Sequence, residues 1–288
     1  MAQGKSLRIG ILLNTKKLKA IEGTEKIVKL LKGKGVPFTL LKEEAEEIKH
    51  PDWGIEKERF IEGINFLLAL GGDGTILRAA RVLQGKSIPI LGINVGGLGF
   101  LTETGVENLE NTISSILKGN YTLDERLGLE TRVKGEVLFS LNDTVVVRKD
   151  PARMIKIEVS TQDSYLTTFA ADGLIISTPT GSTAHALSAG GPILHPQIEG
   201  ILIVPICSHT LSQRPFLLPS HTILQIKTLG KNPAVVVCDG QITRDLPPGE
   251  KISLTATSYK VRLVRLKKFD FFSLLREKLY WKGHWESK

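Results

Sequence analysis

Cysteine, long apolar runs and the common nucleotide fingerprints are scarce or missing in this 288-residue chain. Its two cysteines, Cys207 in LIVPICSHT and Cys238 in AVVVCDGQ, support no disulfide framework. With six scattered histidines they give no zinc-ligand spacing. Each cysteine ends an apolar, strand-like run, so each is expected to be a small buried side chain. No apolar stretch approaches the roughly 20 residues of a membrane span. The start MAQGKSLRIGILLN lacks a long hydrophobic region with a cleavage site. The expectation is a cytoplasmic protein with no membrane partner. Lys and Arg outnumber Asp and Glu 38 to 30, a net charge of +8 with His neutral. The four tyrosines are not interleaved with the basic residues as stacking platforms, so that charge is assigned to small polyanionic ligands and no nucleic acid is expected. No GxxxxGK[ST] occurs, and neither GGDGTIL nor GGLGFLT completes GxGxxG. A P-loop enzyme is thereby excluded, as is a redox dinucleotide on the usual glycine fingerprint.

What is present divides into two grammars. In the first third strand and helix signals alternate: LRIGILL (7–13), a helical AIEGTEKIVKLLKGKG, VPFTLLK (36–42), INFLLALGG (64–72), a helix from about Thr75 to Leu83, SIPILGIN (87–94), and an amphipathic VENLENTISSILKG. Strands separated by helices imply a parallel sheet covered on both faces, with ligands beyond the carboxyl ends of the strands. After residue 121 the runs are short, alternating and bounded by turn residues, among them GLETRVKG, EVLFSLNDTVVVRK, GILIVPIC, HTILQIKT, PAVVVCDG, KISLTATS and KVRLVRLKK. TQDS reads as the turn of a hairpin. This part is expected to be mostly β, a sandwich or stacked sheets. FDFFSLLREKLYW (269–281) reads as an amphipathic helix. The expected organisation is an α/β domain over 1–120, an all-β domain over 121–266 and, over 267–288, a terminal helix packing back on the first domain.

Four clusters carry the chemistry. LLALGGDGTILRAA sets Gly71, Gly72 and Gly74 around Asp73 between a strand and a helix. The ordinary reading is a turn with an Asp N-cap. The functional one is a loop whose missing side chains let a polyphosphate approach the backbone, with the following helix N-terminus facing the anion. GINVGGLGFLTE (92–103) follows the next strand and is expected on the same edge. LNDTVV (141–146) puts Asn142 and Asp143 at a strand edge. ADGLIISTPTGSTAHALSAGGPIL (171–194) is dense in small and hydroxylated residues, which suit close contact with a sugar or base.

Together with HTLSQRPFLLPS, these motifs resemble the NAD kinase family over nearly the whole chain, from about Ile9 to Trp281. GGDGT alone is shared with lipid kinases and resembles the phosphofructokinase loop, whereas STPTGSTA with the downstream HTL..RP element is highly specific. The resemblance implies a Rossmann-like or phosphofructokinase-like α/β domain and a β-sandwich-like second domain. It implies transfer of the terminal phosphate of ATP or polyphosphate, with Mg²⁺ or another divalent cation, to the 2′-hydroxyl of the adenosine ribose of NAD. By the same resemblance Asp73 is the general base, and Gly71, Gly72, Gly74 and Thr75 are at the donor phosphate. Arg78, in the helix that follows, is a further donor-phosphate candidate. Asn142 and Asp143 match the family's Asn-Glu pair at the adenine and ribose, and Asp172 the acid at the nicotinamide end. Thr183, Ala184, His185 and Ser188 match the substrate-lining turn, with His209 near the dinucleotide and Phe100 as an apolar wall. Family members form dimers and tetramers through the β domain, which implies a homodimer or homotetramer.

Three residues depart from the family pattern. Asp143 is one methylene shorter than the usual Glu, His185 stands where Tyr is common, and Ser208 replaces a Pro before His209. They bear on substrate preference, since none removes the presumed base. Two other functions share parts of the pattern. A lipid or sugar kinase would share GGDGT, but a lipid kinase needs an apolar acyl cleft. A non-catalytic dinucleotide sensor would have no use for Asp73 beside bound phosphates, where a carboxylate is electrostatically costly.

Overall fold

The computed structural model describes residues 7–83, 85–97, 99–210 and 212–281. Leu98 and Leu211 of the quoted motifs, and His284, lie outside them. Two compact units are present, Met1–Ala79 with Ile88–Asp124 and Arg262–Lys288, and Ala80–Ser87 with Glu125–Val261.

The first unit is built on parallel strands β1 (Ile9–Leu13), β2 (Phe38–Leu41), β3 (Gly54–Ile55), β4 (Phe66–Gly71) and β5 (Ile90–Asn94), in the order 3-2-1-4-5. Its helices are α1 (Leu18–Gly33), α2 (Lys42–Glu47), α3 (Lys57–Gly63), α4 (Asp73–Leu83) and α5 (Leu109–Lys118), and β6 (Thr104–Gly105) pairs with β5. Alternation along β1 decides which helix covers which face. Ile9, Ile11 and Leu13 join one buried cluster with Ala20, Ile27, Val28 and Leu31 of α1 and Ile113 and Ile116 of α5. On the opposite face, a Cβ at Gly10 would lie 2.6 Å from the Ile64 side chain and 2.8 Å from that of Phe60 in α3, so a larger residue there would have to displace them. The buried Ile76, Ala79, Ala80 and Leu83 give α4 its apolar stripe, and Ile76 occupies the space a side chain at Gly92 would need. Strand order reverses between β1 and β4. In a sheet of this order, ligands bind in the crevice beyond the carboxyl ends at that point.

The second unit is antiparallel. Its strands are β7 (Thr122–Val133), β8 (Glu136–Ser140), β9 (Asp143–Arg148), β10 (Ile155–Thr161), β11 (Tyr165–Ala171), β12 (Gly173–Ser177), β13 (Gly200–Ile206), β14 (Phe216–Pro219), β15 (Leu224–Leu229), β16 (Ala234–Cys238), β17 (Ile242–Leu246) and β18 (Lys251–Arg265). The first residues of β7 and the last of β18 belong to the first unit, and α4 from Ala80 onward is counted in the second. One sheet runs β14-β13-β12-β9-β16-β17; the other runs β11-β10-β15-β18, with β7 pairing β18 and β8. Ile157, Val159, Phe169, Leu174, Ile176, Ile203, Ile226, Val236 and Leu254 fill the space between them. The other face of the six-stranded sheet carries Val145, Ile175, Leu202 and Val204, packed on Ala186 of the short helix α6 (His185–Ser188) and on Leu194. The parallel α/β unit and the stacked β sheets are the fold class the sequence implies.

Several local readings change. EVLFSLNDTVVVRK is two strands broken at Leu141 and Asn142, and KISLTATSYKVRLVR is one continuous strand. Cys238 is buried as expected, but Cys207 is exposed: β13 ends one residue earlier, and Cys207 turns the chain with φ +47. The terminal helix α7 (Phe271–Lys278) is counted in the first unit, buries Phe271 and Leu275, and is capped by Asp270 accepting from the N–H groups of Phe272 and Ser273. Among the described residues no helix is long and apolar enough to cross a membrane.

Candidate active site

In the first unit the site is the turn from β4 into α4. Asp73 is the first residue of α4, and its carboxylate reaches across to the loop after β5. One oxygen accepts the N–H of Phe100 at 2.8 Å and the other that of Leu101 at 3.0 Å. The loop is tied from below. Asn94 accepts the N–H of Gly96 at 2.7 Å and donates to the carbonyl of Gly97, while Thr102 accepts the N–H of Gly99 at 2.9 Å. A Cβ on Gly99 would overlap the Asp73 carboxylate, which is why GGLGF needs glycine there. Asp73 is therefore a carboxylate oriented by a neighbouring loop, and two accepted bonds leave it lone pairs for a further proton. The loop glycines have different reasons. At Gly71 a side chain would overlap the buried Thr75, whereas a Cβ on Gly72 would meet nothing within 4 Å. Neither has a left-handed φ. Gly72 is thus the open approach to the helix N-terminus, where an anion is favoured.

Arg78 is engaged elsewhere. Its guanidinium pairs with the buried Glu44 at 2.6 Å and donates to the carbonyl of Leu13 at 2.7 Å.

In the second unit the turn Leu141–Asn142 is gripped from both sides. Asp239, just past β16 with φ +51, accepts the N–H groups of Leu141 (2.9 Å), Asn142 (2.8 Å) and Asp143 (3.2 Å). From the other side the N–H of Thr178 donates to the Asn142 carbonyl at 2.8 Å and the Thr178 hydroxyl to that of Leu141 at 2.6 Å. Gly181 lies against the same Asn142 carbonyl, with no room for a Cβ. A cavity of about 310 Å³ opens here, lined by Asn142, Asp143, Ala184, His185 and Asp239 over an apolar floor of Val145, Val147 and Val237.

Two acids in this cavity are buried. Desolvation, with the Asp239 charge second, pushes Asp143 up to about 7. Desolvation also raises Asp239, opposed by its three backbone N–H donors and by Arg81. Because the donors converge on Asp239, it is the member that stays ionised, and the proton rests on Asp143.

Of the substrate residues inferred from sequence, the cavity joins Asn142, Asp143, Ala184 and His185, and not Thr183, Ser188, Asp172 or His209. Thr183 closes the preceding turn by donating to the carbonyl of Thr180 at 3.2 Å, and Ser188 is exposed at the end of α6. Asp172 is paired with Arg148 at 2.9 Å, both about a quarter exposed. His209 is exposed, and its N–H bonds the carbonyl of Ala170 at 2.9 Å. Sequence reasoning missed Asp239, Asn94 and Glu44. The CDG after an apolar run marks a turn, but nothing in the chain order points Asp239 at a segment 97 residues away. Among the described residues no group of three or more His, Cys, Asp or Glu could hold a metal ion.

Comparison with known proteins agrees with these units. Residues 9–121 match the ATP-NAD kinase N-terminal domain and residues 141–266 the ATP-NAD kinase C-terminal domain. An NAD kinase of Methanothermobacter thermautotrophicus is 37% identical over 95% of this chain and 96% of its own. The crystal structure of an NAD kinase from Archaeoglobus fulgidus in complex with ATP superposes with a TM-score of 0.76, at 25% identity over 96% of this chain and all of that one. That of yeast NADH kinase complexed with NADH has a TM-score of 0.90 over 99% of this chain and 91% of its own, and at 24% identity shows the shared fold. The protein is a kinase, a phosphotransferase of a two-unit nucleotide-binding fold. The chain belongs to the NAD kinase family.

Proposed function

We propose that this protein transfers the terminal phosphate of ATP to the 2′-hydroxyl of the adenosine ribose of NAD, giving NADP and ADP. The observation that carries the reading is the Asp73 carboxylate, held by the N–H groups of Phe100 and Leu101 beside a glycine open to solvent. A ribose hydroxyl is a poor nucleophile at neutral pH, so transfer needs an oriented base and aligned reactants. Asp73 takes the hydroxyl proton as the oxygen bonds to the terminal phosphorus. The bond from that phosphorus to the bridging oxygen breaks with its electron pair leaving on ADP, and the proton passes to solvent. Gly72 and the α4 N-terminus face the donor phosphates. Mg²⁺ fits a site without a protein cage, since it is commonly held by donor phosphates and one or two carboxylates. When bound it would neutralise phosphate charge, with Asp73 as the protein carboxylate on that loop.

Asn142 and Asp143 meet the adenine and ribose in the second unit's cavity, with Ala184 and His185 as its rim. Thr183, Ser188 and His209 complete the substrate contacts, Phe100 provides an apolar wall, and Asp172 meets the nicotinamide end. There Arg148 cancels the charge Asp172 would otherwise present to the cationic ring. ATP is favoured over polyphosphate because the Archaeoglobus fulgidus relative is described with ATP. The protein works in the cytoplasm as a homodimer or homotetramer.

The test is to incubate purified protein with NAD, Mg²⁺ and either ATP or polyphosphate, reading NADP with an NADP-specific dehydrogenase. NADP is expected with ATP, and Asp73→Asn is expected to lose about 10² to 10⁴ in turnover while still folding. No NADP with any donor overturns the reading.

A further inference from the structure

We propose that Glu44 is a positioning residue for phosphate transfer: with Arg78 it clamps the end of β1 to α4 and so fixes the crevice in which Asp73 works. The inference rests on the kinase reading above and concerns a side chain that plays no part in the resemblance.

The need for the clamp comes from the sheet. β1 lies between β2 and β4, and its last residue, Leu13, pairs with Leu70 of β4. On the other side β2 stops at Leu41 and turns into α2, leaving Leu13 without a strand partner there. Buried backbone groups in that state are costly, so something must satisfy them. Glu44, in the first turn of α2, accepts the Leu13 N–H at 2.9 Å, and Arg78 donates to the Leu13 carbonyl at 2.7 Å. The two side chains close the figure through their ion pair at 2.6 Å. Glu44 is only 5% exposed, and burial pushes its carboxyl up while Arg78 opposes the rise.

Position makes this more than packing. Leu13 is the last residue of β1, and the N–H of Asn14 bonds the carbonyl of Leu70, so the clamp sits where strand order reverses. Arg78 lies five residues beyond Asp73 on the same helix. α4 is thus held at one point by Asp73 on the Phe100 loop and at a second by Arg78 on the Leu13 carbonyl of β1, with Glu44 bridging Arg78 and the Leu13 N–H. A helix held at two points can neither roll nor slide, and both freedoms would move Asp73 relative to the donor loop. Since small misplacements of aligned groups cost up to about 10²-fold, the clamp should act on turnover more than on substrate affinity.

Glu44→Gln is the informative variant. Its amide oxygen still accepts from Leu13, but its NH₂ faces the Arg78 guanidinium donor to donor, so the ion pair is lost with little change of volume. Rates are compared below the onset of unfolding of every variant. Kcat is expected to fall about tenfold, with KM for NAD and ATP within about twofold of wild type. Arg78→Met should do the same. The double variant should be no slower than Arg78→Met alone, because that change already removes the ion pair together with the bond to Leu13. Independently of activity, amide hydrogen exchange of the Glu44→Gln protein without substrates should quicken at residues 73–75 as well as at Leu13. Should Glu44→Gln not fold, Arg78→Met carries both measurements. Unchanged kcat, multiplicative losses in the double variant, or faster exchange confined to Leu13 would overturn the proposal. If the wild type makes no NADP while Glu44→Gln still shows the exchange change, the kinase reading falls and the clamp stands.

Discussion

Asp73 in the first unit and Asp143 in the second each sit beside a loop at the end of an apolar strand, yet the chain treats them in opposite ways. Asp73 is half-buried, and each of its oxygens is met by a backbone N–H. Asp143 is buried with no hydrogen-bond donor on its carboxyl among the described residues, beside a second acid that accepts three backbone N–H groups. In the first case the environment holds an oriented charge ready for a proton. In the second burial raises the carboxyl to about 7, so it keeps its proton below that value and can then donate a hydrogen bond as well as accept one. Burial alone therefore does not mark a catalytic acid, and what decides is where the backbone donors point.

That contrast can be broken at several places. The largest effect is expected from Asp73→Asn, whose loss of about 10² to 10⁴ in kcat should far exceed the modest fall in urea midpoint caused by its NH₂ facing one of the two N–H donors. Next is Gly99→Ala, whose added methyl overlaps the Asp73 carboxylate and must push it off its donors. Steady-state kinetics should show kcat lower by about 10- to 100-fold. An alanine variant with wild-type turnover would mean that the loop does not orient the base.

The second unit predicts a pH dependence of opposite character. Asp143 holds its proton up to about 7 in the folded chain, against an ordinary value of 3.8. The folded state then binds more protons than the unfolded one between those values. The contribution is fully present below the lower value, is lost as pH rises through the upper, and is level beyond it. Urea midpoints should accordingly be lower at about pH 8 than at about pH 5, by up to a few kcal/mol in stability, and Asp143→Asn should flatten the slope. A stability that rises over this interval in wild type and not in the variant would put the proton elsewhere. The smallest effect is expected at Asp172, which is paired with Arg148. Arg148→Met uncovers Asp172 and should raise the preference for NAD over NADH in kcat/KM by about two- to fivefold.

Much of the first unit was legible because its strands are buried on both faces and its helices carry long apolar stripes. The stretch 42–63 was not: α2 reads KEEAEE and α3 reads KERFIEG, each too short and too charged to show the periodicity that announces a helix. Glu44, hidden in that acidic run, looks like solvent-facing charge. β14 and β17 escaped notice for a related reason, being short edge strands of FLLP and ITRDL whose residues alternate with exposure. The break between β8 and β9 was invisible because no residue at 141–142 forbids a strand. Asp239, gripping three successive N–H groups, takes the turn out of the ladder.

The sequence by itself determined the two grammars, the parallel and antiparallel halves, the glycine loop around Asp73 and the family to which the chain belongs. Periodicity, turn chemistry and short motifs are local, and a local signal survives in one dimension. The tertiary structure decided which glycine is open and which is filled, that Asp73 answers to Phe100 and Leu101, that Asp239 shapes the Asn142 turn, and that Arg78 is held by Glu44. Each of these is a hydrogen bond or close contact between segments brought together only by folding. Their cost and benefit arise from burial, and a linear chain carries no record of burial beyond its apolar pattern.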